Sequence, residues 1–168
     1  MALFFLVGFM GSGKTTLGMN VARQLSLPFF DLDEGIATSA GMTITDMFES
    51  FGEEGFRQLE SEALAQLIKK EKHGIVASGG GTYTIAYNRK LINKAGLSVW
   101  IDVPIEILLE RVQPKGRPMW KNEMKVRQLA DYREKYYRSA ELHLNLKGES
   151  IQKSSSKLYQ LLSPYVNN

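Results

Sequence analysis

Five short apolar runs punctuate the chain, and longer segments of mixed polarity separate them. The first, residues 2–7, is apolar at every position, as a strand buried on both faces of a parallel sheet must be. Residues 28–31, 74–78 and 97–103 read as further strands. In 142–146, His143 and Asn145 alternate with leucines, the pattern of a half-exposed edge strand. Helical spacing fills the intervals. Leu17, Val21 and Leu25 recur at i, i+4 and i+8 in a helix from Lys14 to Leu25. Ser50-x-x-Glu53 has the form of a capping box, opening a helix to about Glu71 along which Phe56, Leu59, Ala63, Leu64 and Leu67 keep the period. Pro104 suits a first helical position before residues 105–111, and Gly41 and Gly96 are candidate helix stops. Strands alternating with helices predict an α/β fold: one domain over 1–168 with a doubly wound, five-stranded parallel sheet and its ligands at the carboxyl ends of the strands.

The 168 residues suffice for one buried core, and 43% of them are hydrophobic. There is no cysteine, which excludes disulfides, thiolate metal sites and a cysteine nucleophile. The net charge of +3 is too mild to point to nucleic acid; a pocket for an anionic substrate would explain it equally well, and dispersed surface lysines explain it most simply. The apolar start lacks a basic leading segment and runs directly into a glycine loop, and no run approaches the length of a membrane span. A cytoplasmic monomer without membrane or nucleic-acid partners is expected.

Gly8-Phe9-Met10-Gly11-Ser12-Gly13-Lys14-Thr15 matches the GxxxxGK[ST] phosphate loop, with an apolar strand before it and an amphipathic helix after it. Glycines let successive N–H groups turn toward phosphate oxygens, and the helix start adds its positive dipole end. Gly11, Ser12, Gly13, Lys14, Thr15 and Thr16 are therefore the expected ATP-binding residues. Lys14 reaches the β- and γ-phosphates, and the Thr15 hydroxyl faces Mg²⁺. Asn93-Lys94-Ala95-Gly96 lacks the aspartate of a guanine-reading segment, which argues against a GTPase and toward a small-molecule kinase.

Other residues suggest an acceptor site, each with an ordinary reading beside it. Asp31-Leu32-Asp33 ends the second strand with both carboxylates on one side, although Asp33 also suits a cap for a helix starting at Glu34. Arg57 lies early in a helix, where an exposed arginine paired with Glu53 or Glu54 is the plain alternative. Gly79-Gly80-Gly81 follows a strand, as a flexible turn or as backbone that something must approach closely. Arg117-Pro118 sits in a polar stretch, about 113–121, suited to a mobile lid, and Arg133 lies on the helix after it.

Taken in order, the GFMGSGKTT loop, Asp31-x-Asp33, the Gly-Glu-x-x-Phe-Arg segment ending at Arg57, the triple glycine, Arg117-Pro118 and Arg133-x-x-x-Tyr137 resemble the shikimate kinase family along nearly the whole chain. The resemblance implies ATP-dependent phosphorylation of the 3-hydroxyl of shikimate, a step toward aromatic amino acids. It implies that Asp33 orients or deprotonates the hydroxyl and that Arg57 and Arg133 grip the carboxylate. Gly79, Gly80 and Gly81 would approach the substrate, within substrate-binding helices at about 33–60. Arg117 would act on the transferring phosphate from the lid, and Asp31 on Mg²⁺ through water. Three places depart from the family pattern: Ala77 where a serine is frequent, Lys135 where a proline is usual, and a compact lid with Trp120 in a leucine's place, which makes Arg111 a weaker candidate than Arg117. A gluconate-type kinase and a nucleotide-binding regulatory module with a decayed catalytic set are the alternative readings.

Overall fold

The computed structural model describes residues 3–112 and 122–166, so the proposed lid at 113–121, with Arg117, lies outside the described residues. Five parallel strands form one sheet in the order β2-β3-β1-β4-β5. They are β1 (Leu3–Val7), β2 (Phe29–Asp31), β3 (Gly74–Ala77), β4 (Gly96–Asp102) and β5 (Leu142–Asn145). β1 lies at the centre and every residue of it is buried, which is why it reads as an unbroken apolar run. β5 is an edge strand, as its alternation predicts.

The helices are α1 (Lys14–Leu25), α2 (Leu32–Ala40), α3 (Ile44–Lys70), α4 (Ala86–Ala95), α5 (Ile105–Val112), α6 (Glu123–Tyr137) and α7 (Ile151–Val166). The chain leaves β1 toward β2 on one side and leaves β3 toward β4 on the other. The loops after β1 and β3 therefore part at the carboxyl edge, and a crevice opens between them, the usual ligand position in such sheets.

Two helix starts differ from the sequence reading. α3 opens seven residues before the expected helix start, with Thr43 and not Ser50 as its cap: the Thr43 hydroxyl accepts from Asp46 N at 3.1 Å and the Asp46 carboxylate accepts from Thr43 N at 3.4 Å, a complete capping box. Ser50 and Glu53 instead straddle a kink at Gly52 (φ 70°, ψ −179°), so the start signal marks a break with helix on both sides. An added Cβ at Gly52 would meet nothing, so glycine is required here for its φ alone. The second difference concerns the acidic pair. α2 begins directly after β2, so Asp31 is the cap, accepting from Glu34 N at 3.2 Å, and Asp33 lies inside the first turn with its side chain released for the site. Gly41 does end α2, in the left-handed conformation, and Gly96 ends α4 where β4 begins. α6 runs unbroken through Lys135, as expected without the proline.

Candidate active site

A cavity of about 660 Å³ lies at the carboxyl edge between the loops after β1 and β3. The start of α1 forms one wall. Its first turn holds no acidic residue and its cap, Gly13, offers no side chain, which leaves the N–H groups of that turn for an anion. Lys14 is buried, and its Nζ donates to the carbonyls of Gly8 at 2.8 Å and Phe9 at 2.9 Å, bracing the loop across its mouth. Gly11, Ser12, Gly13, Thr15 and Thr16 line the same wall. Arg111 donates to the Gly11 carbonyl at 3.2 Å, so the residue expected to be the weaker candidate does reach the phosphate loop.

The Thr15 hydroxyl donates to Asp31 Oδ2 at 2.7 Å, while Asp31 Oδ1 caps α2. Two hard oxygen donors thus meet beside the loop. Among the described residues no group of three acidic, histidine or cysteine side chains gathers in the manner of a closed metal cage.

Asp33 faces the cavity, and its Oδ1 is buried without a hydrogen-bond partner. Burial, then the charges of Glu60 and Asp31, push its pKa up from 3.8 to about 6, with Lys14 and Arg57 acting in the opposite direction. A carboxylate poised there can accept a proton near neutrality.

Glu60 escaped the sequence reading. It is 0% exposed and fully satisfied: Oε2 accepts from Arg57 Nη1 at 2.8 Å and Oε1 from the Thr82 hydroxyl at 2.6 Å. The available signal was its place on α3, four residues after Phe56 and four before Leu64, both buried. A carboxylate inside an apolar stripe requires a partner. Arg57 also reaches Glu53 at 3.6 Å, so the plain reading of Arg57 as paired with Glu53 holds in part. Its side chain, however, is only 18% exposed, and its guanidinium carbon sits 5.4 Å from the Phe56 ring centre and 5.8 Å from that of Phe48. Arg133 is 4% exposed, and burial lowers its pKa from the ordinary arginine value.

The triple glycine forms the floor on which these groups converge. A Cβ at Gly79 would lie 2.6 Å from Glu60 Oε1 and 2.8 Å from Asp33 Oδ1. One at Gly80 would lie 3.3 Å from Arg133 Nη1, and one at Gly81 would lie 2.2 Å from Arg57 Nη2. The structure thus brings Asp33, Arg57 and Arg133 to one stretch of bare backbone. Ser78, beside Ala77, turns its hydroxyl to the Leu6 carbonyl at 2.8 Å, a bond within the sheet. Gly81→Ala is expected to displace the Arg57 guanidinium, the movable party, and to weaken acceptor binding by about tenfold or more, the loss of one charge-assisted hydrogen bond. Steady-state KM values for acceptor and for ATP check this; an acceptor KM unchanged from wild type counts against it.

A family model described as shikimate kinase matches residues 10–163, the stretch that contains nearly all of these groups. The chain belongs to the shikimate kinase family. Shikimate kinase of Brucella canis is 38% identical over 165 residues, covering 96% of this chain and 82% of that one. A shikimate kinase structure from Acinetobacter baumannii, in complex with shikimate, superposes with a TM-score of 0.91 at 34% identity, covering 98% of this chain and 94% of the other. The Aquifex aeolicus shikimate kinase structure superposes with a TM-score of 0.84 at 32% identity, covering 96% of each chain. Membership of the shikimate kinase family accounts for the five-stranded parallel architecture and makes the chain a phosphotransferase.

Proposed function

We propose that this enzyme transfers the γ-phosphoryl group of ATP to the 3-hydroxyl of shikimate, giving 3-phosphoshikimate and ADP. The observation that carries the reading is the convergence of Arg57 and Arg133 on Cβ-free backbone, with the partnerless Asp33 oxygen in the same cavity. In this reading Arg57 and Arg133 hold the acceptor carboxylate, which a guanidinium fork matches better than an ammonium does. Asp33 orients the 3-hydroxyl and takes its proton as the new O–P bond forms and the β,γ-bridging bond breaks. Lys14 and the N–H groups of Gly11 to Thr16 hold the phosphates and the charge that develops on them. Gly79, Gly80 and Gly81 admit the acceptor close to the backbone. Arg117 completes the charge set on the transferring group.

Mg²⁺ fits the oxygen pair at Thr15 and Asp31. This ion keeps several waters and binds through one or two protein groups plus substrate phosphates, so the lack of a third acidic group among the described residues suits it. Thr15 would hold it directly and Asp31 through water, and when bound it neutralises phosphate charge. We further propose that the enzyme acts as a cytoplasmic monomer on two small molecules. Among the described residues no helix is long and apolar enough to cross a membrane.

The test is a coupled ADP-release assay on shikimate, gluconate and shikimate carboxamide. Shikimate is expected to be the preferred acceptor and the amide a poor one. Arg57→Ala should weaken shikimate binding by about 10- to 150-fold, the value of a charge-assisted hydrogen bond, and should cost much less against the amide. Equal losses on acid and amide, or a loss confined to ATP, would favour the gluconate-type reading. ATP binding with no turnover of any acceptor would favour the regulatory module.

A further inference from the structure

Tyr137 touches none of the cavity, yet it stands behind two groups assigned to the acceptor. It is 2% exposed, and its hydroxyl donates to the Gly80 carbonyl. Arg133 lies four residues earlier on α6, hence on the same face, and its guanidinium faces the same hydroxyl. Burial pushes Tyr137 up to about 12, with Arg133 opposing that push, so the hydroxyl keeps its proton across the working pH range. One buried O–H thus spans the central glycine of the loop after β3 and the arginine that enters from α6.

The backbone at this junction has supports of its own. The Tyr137 ring packs on Trp100 with centroids 6.3 Å apart. In the turn after α6, the Ser139 carbonyl lies 3.4 Å from the Tyr83 hydroxyl, which also reaches Ser98 Oγ at 3.1 Å. The end of α6 is therefore tied down without the Tyr137 hydroxyl. What that hydroxyl adds is the orientation of the Arg133 guanidinium and of the peptide after Gly80, whose carbonyl it holds. We propose that Tyr137 is a positioning residue for acceptor recognition, presetting Arg133 and Gly80 for the substrate carboxylate; this rests on the shikimate kinase reading given above.

Tyr137→Phe keeps the ring against Trp100 and removes only the O–H. Arg133 then occupies its competent orientation for a smaller fraction of the time, and apparent affinity falls by that fraction. The expected result is a rise of about tenfold in the KM for shikimate, with kcat and the KM for ATP within about threefold of wild type. Placed on Arg133→Lys, the same change should have little further effect on the shikimate KM, because its route runs through Arg133. A merely structural role would lower kcat and raise both KM values together, or add fully to Arg133→Lys, and either outcome overturns the proposal. If Tyr137→Phe does not fold, ¹⁹F spectra of the 3-fluorotyrosine-labelled wild type carry the test, with the Tyr137 signal assigned by elimination from single Phe variants of the other six tyrosines. The Tyr137 signal should move with shikimate and not with ATP; no response to shikimate overturns the proposal. A wild type that fails to phosphorylate shikimate sinks the functional reading and this inference together. An active wild type without the KM split sinks the inference alone.

Discussion

Asp33→Asn is expected to lower turnover on shikimate by about 10²–10⁴, the range for loss of a general base, while making the folded protein more stable at pH 8. Both effects come from the same environment. Burial and the neighbouring charges of Glu60 and Asp31 raise the Asp33 pKa from 3.8 to about 6. The folded state therefore binds the proton more tightly than the unfolded chain does. The resulting stabilisation is fully present below about pH 3.8 and is lost as pH rises through about 6. Above that, the folded protein carries a charge it holds poorly, at a cost of at most about 3 kcal/mol at 1.36 kcal/mol per pH unit. Asparagine removes the charge and nearly keeps the shape. Thermal unfolding should thus show a Tm several degrees above wild type at pH 8, at roughly 2–4 °C per kcal/mol, with the gap closing at pH 4. For the wild type, kcat/KM should fall as pH drops through about 6, since that profile reports the free enzyme. A variant of unchanged turnover, or a wild-type acid limb near pH 4, would remove Asp33 from the reacting centre.

Lys14→Ala is expected to cost on the order of 10² or more in turnover, comparable to deleting a donor aimed at developing charge. The lysine also braces the loop by bridging the Gly8 and Phe9 carbonyls, so its removal should loosen the nucleotide wall as well. Single-turnover measurement at saturating ATP separates the two effects. A slow chemical step there marks lost charge stabilisation, whereas a normal step with weak ATP binding would mean that the loop, and not the reacting phosphate, depends on Lys14. Arginine should not restore the rate, since its planar fork does not reproduce a compact ammonium between two carbonyls.

The phosphate loop was legible because its chemistry is local: consecutive residues, a strand before and a helix after. β1 was legible for a similar reason, since burial on both faces leaves no polar position to confuse the period. The acidic pair was less so. A helix start shifted by two residues exchanges the parts of Asp31 and Asp33, and both sites follow the same capping rule. Thr43-x-x-Asp46 and Ser50-x-x-Glu53 likewise compete as starts, and only the backbone at Gly52 shows that the second is a bend. Glu60 was hidden for a different reason. Its partners Arg57 and Thr82 come from α3 and from the turn after the glycines, and periodicity along one helix cannot reveal a contact between two segments. The triple glycine was noticed, but the groups that require it became visible only once Asp33, Glu60, Arg57 and Arg133 had positions.

The bend at Gly52 divides labour within one helix. Ile44 and Phe48, before it, give the cavity an apolar wall that Phe56 continues, while the charged groups of this helix that line the cavity, Arg57 and Glu60, both lie after it. The two halves meet through the stacked rings of Phe48 and Phe56, 4.5 Å apart, in place of an unbroken hydrogen-bond ladder. In the proposed reading, the outline of the acceptor and its charge are thereby recognised largely on separate stretches of chain. Selection can reshape the first by exchanging side chains on a single short segment, leaving the proposed grip on the carboxylate where it stands.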